Sequence, residues 1–181
     1  MQRRITITSL PAAIAGLLLA ACGQGQSAAP NAASSKGRSA MVELEKGGSF
    51  TFQMFADDAP KTVQNFVDKA NAGFYNGLIF HRVEDWVIQG GDPSGSGAGG
   101  GTMPSEMNNR PFTAGSVGIA RGQDIRINND SQFFVCTSKM SKDQGQFLTG
   151  KYTNFGQITS GMEVVDSVRK GDKIKRITIK A

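Results

Sequence analysis

One arginine in an apolar setting is the residue of this sequence best placed to do chemistry. Arg82 lies in the stretch FHRVEDWVIQGGD at residues 80–92, between Phe80 and the apolar run at residues 86–88. A guanidinium carries five N–H donors in a fixed fork, and they bind polar groups more strongly where apolar neighbours exclude water. Gln89 adds an amide at the end of the run. The pattern therefore indicates a partly desolvated hydrogen-bond donor.

Other chemistries are disfavoured by where their residues fall. His81 is the only histidine, and alternation along a strand puts it on the face opposite Arg82, which predicts a structural hydrogen-bonding role. Cys136 lies in an apolar run with no activating charge nearby in sequence, so a Cys-His protease is disfavoured. No cluster of His, Cys, Asp or Glu has metal-ligand spacing, and we expect neither metal nor cofactor. The glycine-rich run at residues 93–101 lacks a phosphate-loop Gly-Lys-Ser/Thr, which disfavours nucleotide binding.

Three stretches together resemble the signature segments of the cyclophilins, which are peptidyl-prolyl cis-trans isomerases. They are Phe-His-Arg with Gln-Gly-Gly-Asp in residues 80–92, SQFFVC at residues 131–136 and GKYTNFG at residues 150–156. They occur in the family's order, and the resemblance covers the chain from Ala40 to Ala181. It implies an enzyme that accelerates rotation about X-Pro peptide bonds.

Rotation about an X-Pro bond needs no nucleophile. Resonance gives a peptide bond a rotational barrier of about 18–20 kcal/mol, and the imide nitrogen of the twisted state is pyramidal and basic. An enzyme can bind that state selectively by holding the proline ring in an apolar pocket and aiming a donor at the amide. Lowering the barrier by ~7 kcal/mol would raise the rate by roughly five powers of ten.

The resemblance assigns roles to the expected site residues. Arg82 would be the catalytic donor to the twisted amide, while Gln89 and Gln132 would position the substrate backbone. The backbone of Arg121 and Gly122 would hydrogen-bond the residue before the proline. The remaining substrate-binding residues would form the proline pocket or its rim, and they are Trp86, Val87, Phe134, Phe147, Leu148 and Tyr152.

The sequence departs from the common eukaryotic pattern of that family in three places. The gap from Arg82 to Gln89 is one residue shorter, and acidic Glu84-Asp85 replaces an apolar-proline-glycine turn. A carboxylate near Arg82 would either hold the guanidinium still or compete with substrate for it. Phe147 replaces a tryptophan, which predicts weaker binding of cyclosporin-type inhibitors. The loop from residue 121 to residue 131 is about two residues longer.

Short elements must position these residues. Alternating apolar residues predict a hairpin over residues 42–54, and two further strands are expected to bend around Glu84-Asp85. Residues 116–120 and 131–136 are predicted strands on either side of a polar loop, and the closing strand at residues 174–179 could pair with residues 42–44.

Two helices are predicted. The first is capped by Asp58, enters through Pro60 and ends at Gly73; its apolar face at i, i+3, i+4 and i+7 consists of Val63, Phe66, Val67 and Ala70. The second covers Met162, Val165 and Val168. Many short strands without a βαβ rhythm predict a mainly β fold with an antiparallel barrel, which removes exposed sheet edges. The resemblance implies a closed eight-stranded barrel with two capping helices over residues 39–181.

The N-terminal residues indicate export. Residues 1–21 contain Arg3-Arg4 and an apolar run too short to span a bilayer as a helix, followed by LAAC, which resembles a bacterial lipobox. Cys22 would then carry the lipid of a membrane-anchored protein in the cell envelope, and residues 22–38 would form a flexible tether. The alternative is an ordinary secretory signal with an incidental cysteine.

Composition limits the partners. The formal net charge is +5, and no basic stripe interleaved with aromatics is present, which argues against nucleic acid. The expected partners are proline-containing segments of unfolded or exported proteins, whose folding the enzyme would assist, and the membrane through the lipid; the protein is expected to be a monomer. A membrane-tethered module that binds such segments without accelerating rotation is the second hypothesis, although a pure binder has no need of the Arg82 donor.

Overall fold

The computed structural model describes residues 37–180. The predicted signal peptide at residues 1–21, Cys22 and the tether up to residue 36 lie outside the described residues. Within them the chain forms nine strands and three helices. The strands are β1 Ser39–Leu44, β2 Ser49–Met54, β3 Phe80–Glu84, β4 Val87–Gly90, β5 Thr102–Pro104, β6 Ser116–Arg121, β7 Ile127–Cys136, β8 Asn154–Ser160 and β9 Ile174–Lys180. The helices are α1 Pro60–Asn71, α2 Lys142–Leu148 and α3 Met162–Ser167.

The strands form one curled antiparallel sheet that is open. Its order is β3-β4-β7-β6-β8-β2-β1-β9, with β5 added beside β7. The prediction of a closed eight-stranded barrel with two helices is therefore wrong in closure, strand number and helix number, although the mainly β prediction is confirmed. Strands β3 and β9 at the two ends of the sheet are not paired as a ladder. Where they begin, the chain forms one isolated bridge between Ile79 and Lys173, with backbone hydrogen bonds such as Phe80 N–H to the Asp172 carbonyl at 2.9 Å. In the turn before β9 the Asp172 carboxylate accepts from the Arg169 N–H at 2.7 Å.

The predicted hairpin and closing strand are confirmed. Strands β1 and β2 pair with Val42 opposite Phe50, and β9 pairs with β1 so that Val42 faces Ile177. Apolar side chains on one face of these strands are buried in the main core, and Ile179 packs against that core partly exposed. That core also receives the predicted apolar face of α1, including Phe66.

Helix α1 is capped from far along the chain. Pro60 occupies the first turn as predicted, but Ala59 is the N-cap residue and makes no side-chain cap. The Glu106 carboxylate instead accepts from the backbone N–H groups of Lys61 and Thr62 at 3.0 and 2.7 Å. Asp58, the predicted cap, accepts from the Arg110 guanidinium at 3.0 Å. The Asp58 prediction is therefore wrong because a remote carboxylate occupies the helix end.

The second half of the chain holds one helix, α2, and two strands, β5 and β8, that the sequence did not predict. Helix α2 begins with a capping box in which Ser141 accepts from the Gln144 N–H and the Gln144 side chain accepts from the Ser141 N–H. The predicted polar loop at residues 121–130 is too long, because Ile127–Asp130 already belong to β7 and pair with β5. Helix α3 lies where the second helix was predicted.

None of the helices within residues 37–180 is long and apolar enough to cross a membrane.

A second, smaller apolar cluster lies beside the main core and carries the candidate site. Its buried members come from β4, β7, α2 and the loop before β6: Val87, Phe112, Phe134, Cys136 and Leu148. Trp86, Met140 and Tyr152 pack against it and remain partly exposed. The missed helix α2 is therefore one wall of the site.

Candidate active site

The β3–β4 hairpin places Arg82 directly opposite Gln89. Their cross-strand pairing lets the Arg82 Nη1 donate to Gln89 Oε1 at 3.2 Å. The Arg82 Nε donates to the Glu84 carboxylate at 2.8 Å, and the guanidinium lies 5.6 Å from the centre of the Trp86 ring. Three neighbours from one hairpin thus surround the guanidinium.

Gln89 is in turn held by β7 and the glycine-rich loop. Its Nε2 donates to Gln132 Oε1 at 2.9 Å. Gln132 is buried and its Nε2 donates to the carbonyl oxygens of Gly97 and Gly99 at 3.1 and 2.8 Å. A continuous chain of hydrogen bonds therefore runs from Arg82 to the loop at residues 93–101.

A pocket of about 210 Å³ opens beside Arg82. It brings together nine of the eleven predicted site residues of the folded part: Arg82, Trp86, Val87, Gln89, Arg121, Phe134, Phe147, Leu148 and Tyr152. Ala120 also lines it and was not predicted. The two predicted residues outside it are Gln132, which lies behind Gln89, and Gly122, which lines a neighbouring cavity of about 280 Å³.

The floor of the pocket is rigid and apolar. Phe134, Val87 and Leu148 are each less than 5 % exposed. Phe112 stacks under Phe134 with ring centroids 5.7 Å apart and an interplanar angle of 19°. Sequence reasoning missed Phe112, which belongs to no regular element and shows no periodicity. The floor can therefore receive a small apolar ring without rearranging.

The rim of the pocket carries stacked cations. The Arg121 guanidinium lies 4.2 Å from the centre of the Tyr152 ring, and Lys151 Nζ lies 4.7 Å from the centre of the Phe147 ring. Arg121 also donates to the carbonyl oxygens of Lys151 and Gly122 at 3.0 and 2.8 Å. Phe147 is 59 % exposed. An amphipathic rim with an apolar floor suits an extended peptide with one buried side chain.

The chemistry available is donation to a polar group held against an apolar floor. Arg82 is a permanent cation, and the pocket lining contains no thiol, carboxylate or imidazole. Within residues 37–180 no group of three His, Cys, Asp or Glu could hold a metal ion. The sequence relationship then decides the family, because residues 40–181 match the family model of the cyclophilin type peptidyl-prolyl cis-trans isomerases/CLD. The chain belongs to the cyclophilin family.

Curated relatives agree with this membership. The peptidyl-prolyl cis-trans isomerase of Synechococcus elongatus is 41 % identical over 145 residues, which cover 77 % of this chain and 94 % of the relative. Peptidyl-prolyl cis-trans isomerase B of Bacillus subtilis is 39 % identical over 142 residues, 75 % of this chain and 94 % of the relative. This cyclophilin is therefore a peptidyl-prolyl cis-trans isomerase, and the predicted family and enzyme class are confirmed.

Solved structures share its fold. A cyclophilin type isomerase from Cryptosporidium parvum is similar with a TM-score of 0.69 at 27 % identity, covering 80 % of this chain and 98 % of that one. A structure of the same protein in the presence of the dipeptide Ala-Pro is similar with a TM-score of 0.68 at 26 % identity, covering 79 % and 99 %. The open, curled sheet with three helices is thus this cyclophilin's version of the family fold.

His81 of this cyclophilin lies outside the pocket, at an irregularity of the β3–β4 pairing. It is buried beside Gly97 and Asp92, and its Nδ1 has no hydrogen-bond partner among the described residues. Burial lowers the pKa of His81, against the opposing charge of Asp92. His81 does not line the pocket with Arg82, as predicted. The predicted structural hydrogen-bonding role finds no support at Nδ1, which packs in the protein without a partner among the described residues.

The glycine-rich loop is organised by Asp92. Burial raises the pKa of this carboxyl, but N–H groups of Ser94, Gly97 and Gly99 outweigh it and leave the pKa below its ordinary value. The Ser94 N–H donates at 2.8 Å. An ionised Asp92 therefore fixes the loop whose carbonyl groups receive Gln132.

Cys136 of this cyclophilin is a core residue. It is fully buried in β7 beneath the pocket, and burial raises the pKa of its thiol to about 12. The thiol is therefore protonated at neutral pH, as the argument against a cysteine protease predicted.

Proposed function

We propose that the 210 Å³ pocket receives the proline ring of an X-Pro segment and that Arg82 donates to the twisted amide. The observation that carries the proposal is that one cationic donor and a buried apolar floor line the same pocket. The ring would pack on Val87, Phe134 and Leu148, with Trp86 at its edge. The solved structure of a family member in the presence of Ala-Pro supports this class of ligand.

Catalysis would follow from binding the twisted state more tightly than either planar isomer. In a planar amide the nitrogen lone pair is delocalised, whereas in the twisted state it is localised and accepts a hydrogen bond. A guanidinium beside an apolar surface meets that lone pair without reorganising solvent, so its contribution is larger than in water. The proton stays on Arg82, since a guanidinium is not deprotonated in proteins.

Two glutamines and one backbone segment would align the substrate chain. Gln89 accepts from Arg82 and is itself held by Gln132, so the two side-chain amides together orient the guanidinium. The carbonyl of Gly122 already accepts from Arg121, but a carbonyl oxygen has two lone pairs. It can therefore also accept from the substrate residue before the proline, as can the backbone of Arg121.

The proposed setting is the cell envelope. The lipobox-like LAAC at residues 19–22 supports a lipid on Cys22 and anchoring without a transmembrane helix. The tether at residues 22–38 would give the enzyme reach, and exported proteins that fold near that membrane would be its clients. The domain order would then be signal peptide at 1–21, tether at 22–38 and isomerase at 39–181.

The activity test measures cis-to-trans rotation of a short X-Pro peptide with the full chain in detergent solution. Arg82→Ala is expected to lower kcat on the order of a hundredfold, as loss of one preorganised donor does elsewhere. Arg126→Ala is the matched control, because Arg126 is exposed and pairs with Asp124 away from the pocket. Peptide binding without acceleration by the wild type would favour a binding module, and full activity of Arg82→Ala would overturn the assigned role.

The location test follows Cys22. Mass spectrometry of the mature N-terminus should find a lipid on Cys22, and Cys22→Ala should move the protein from the membrane to the soluble fraction. An N-terminus cleaved elsewhere, or membrane association that persists in Cys22→Ala, would contradict the lipoprotein proposal without affecting the enzyme.

A further inference from the structure

Glu84 and Arg82 share one face of β3 because they are two residues apart. The hairpin that carries them turns through Asp85 and Trp86 alone, with Glu84 paired to Val87 at the start of β4. This short turn keeps Glu84 inside the strand. Its carboxylate accordingly reaches Arg82 Nε at 2.8 Å.

The Arg82 donors are divided between two neighbours. Nε donates to Glu84, and Nη1 donates to Gln89. Within residues 37–180, Nη2 donates to no other group, and Arg82 lines the proline pocket. The guanidinium is thus held through Nε and Nη1, and its remaining N–H donors are free for a ligand.

Glu84 pairs with Arg82 outside the pocket. It is not among the residues that line the 210 Å³ pocket. It lines a separate cavity of about 350 Å³, together with Asp85, Lys139, Asp166 and Arg169. A carboxylate on that side does not occupy the space of the substrate, so it orients the guanidinium rather than competing for it.

The carboxylate is ionised at neutral pH. The hydrogen bond from Arg82 and its positive charge outweigh burial, and they hold the pKa of Glu84 below its ordinary value of 4.5. Arg82 and Glu84 side chains are 41 % and 46 % exposed. An ion pair that exposed adds little to folding stability, so its effect should appear in catalysis.

We propose that Glu84 is a positioning residue for the isomerase reaction: it fixes the rotation of the Arg82 guanidinium so that the free donors face the proline pocket. The inference rests on the proposed role of Arg82. It adds that the short acidic turn takes part in catalysis through Arg82 and contacts no substrate. A guanidinium held in one orientation loses less freedom when the twisted amide forms.

The test compares Glu84→Ala and Glu84→Gln with Asp85→Ala in the full chain. Asp85 is the matched control, because its carboxylate is adjacent, 91 % exposed and paired with Lys139 instead of Arg82. We expect Glu84→Ala to lower kcat about five- to tenfold through lost orientation. Glu84→Gln should recover part of the loss, since its amide oxygen still accepts from Nε, and Asp85→Ala should match the wild type.

Binding is read separately through Trp86, the only tryptophan of the chain. Titration with an X-Pro peptide, followed by Trp86 fluorescence, should give a Kd for Glu84→Ala within about twofold of the wild type, because the lost contact is not with substrate. An equal urea midpoint for the two proteins excludes a folding defect. A weaker Kd at unchanged kcat would overturn the positioning role, as would full activity of Glu84→Ala.

A double variant separates this inference from the proposed function. If Arg82 acts as the donor and Glu84 acts through it, Glu84→Ala should have no further effect on kcat in an Arg82→Ala background. Arg82→Ala with wild-type activity would remove both proposals. Inactive Arg82→Ala together with fully active Glu84→Ala, or with further loss in the double variant, would overturn the Glu84 inference alone.

Discussion

Phe134 lies with its ring against Gly118, the residue opposite it on the neighbouring strand β6. A Cβ at Gly118 would stand 2.2 Å from Cζ of that ring and under 3 Å from two further ring atoms. The absence of a side chain on β6 is therefore what allows Phe134 to lie flat as the floor of the pocket. Phe112 also stacks on this ring.

We predict that Gly118→Ala destabilises the protein and damages the pocket together. Phe134 is buried and stacked, so its ring cannot swing aside, and overpacking of this kind typically costs about 1–3 kcal/mol. Urea denaturation should show a lower midpoint, and the Kd for an X-Pro peptide should rise. Gly122→Ala is the control for stability, because a Cβ there meets nothing within 4 Å; equal urea midpoints for the two variants would contradict the prediction.

Helix α1 was predictable from sequence and helix α2 was not, for a reason that lies in one residue. In α1 the apolar spacing is regular, and Phe66 and its neighbours are buried as expected. In α2 the middle position is Gly145, whose Cβ would stand 2.4 Å from the carbonyl oxygen of Phe112. Close packing thus requires a glycine that lowers helix propensity. The Ser141-Gln144 capping box was the signal available.

We predict that Glu106→Gln weakens the N-terminal end of α1. Its carboxylate accepts from two backbone N–H groups and from the Thr62 hydroxyl at 2.8 Å, and loss of a helix cap costs roughly 0.5–2 kcal/mol. The free energy of unfolding in urea should fall by about 1 kcal/mol, while kcat stays unchanged. Glu45→Gln, an exposed change with no partner lost among the described residues, should leave both quantities as they were.

Contacts between distant residues mark the limit of the sequence prediction. Glu106 caps a helix 45 positions earlier, and no local pattern announces it. The prediction of a closed barrel failed for the same reason, because closure depends on how Lys173 and Ile79, which lie far apart in the sequence, come together. Local patterns predicted the signature residues more successfully. Strand alternation and cross-strand pairing bring Arg82, Gln89 and Gln132 together in one chain of hydrogen bonds. The sequence left open whether Glu84 holds Arg82 or competes with substrate for it, and only the structure shows that Glu84 lies outside the pocket lining.

We predict that Gln132→Ala loosens both the glycine-rich loop and Arg82. The substitution removes the donor to the carbonyl groups of Gly97 and Gly99 and the acceptor for Gln89. Amide hydrogens of residues 97–101 should exchange faster, and kcat/KM should fall about tenfold, equivalent to ~1.4 kcal/mol. Gln64→Ala, on the exposed side of α1, serves as control, and unchanged exchange in Gln132→Ala would disprove the link.

We predict that the imidazole of His81 titrates below 6.5 and that folding stability falls in the same range. Burial lowers its folded-state pKa, so the unfolded chain binds the proton more readily. Stability is then fully present above pH 6.5 and is lost as the pH falls through the folded pKa. Because the chain has one histidine, one NMR signal gives the titration directly. A midpoint above 6.5 would show that pairing with Asp92 dominates.

The pairing of the first and last strands has a consequence for engineering. Ser39 faces Lys180 across β1 and β9, so the two ends of the described domain are neighbours. A circularly permuted chain that starts at the exposed turn around Gly48 and carries a short linker from Lys180 to Ser39 should retain every strand pairing described above. The domain could equally be inserted into a surface loop of a host protein, where both junctions would meet the host at one place.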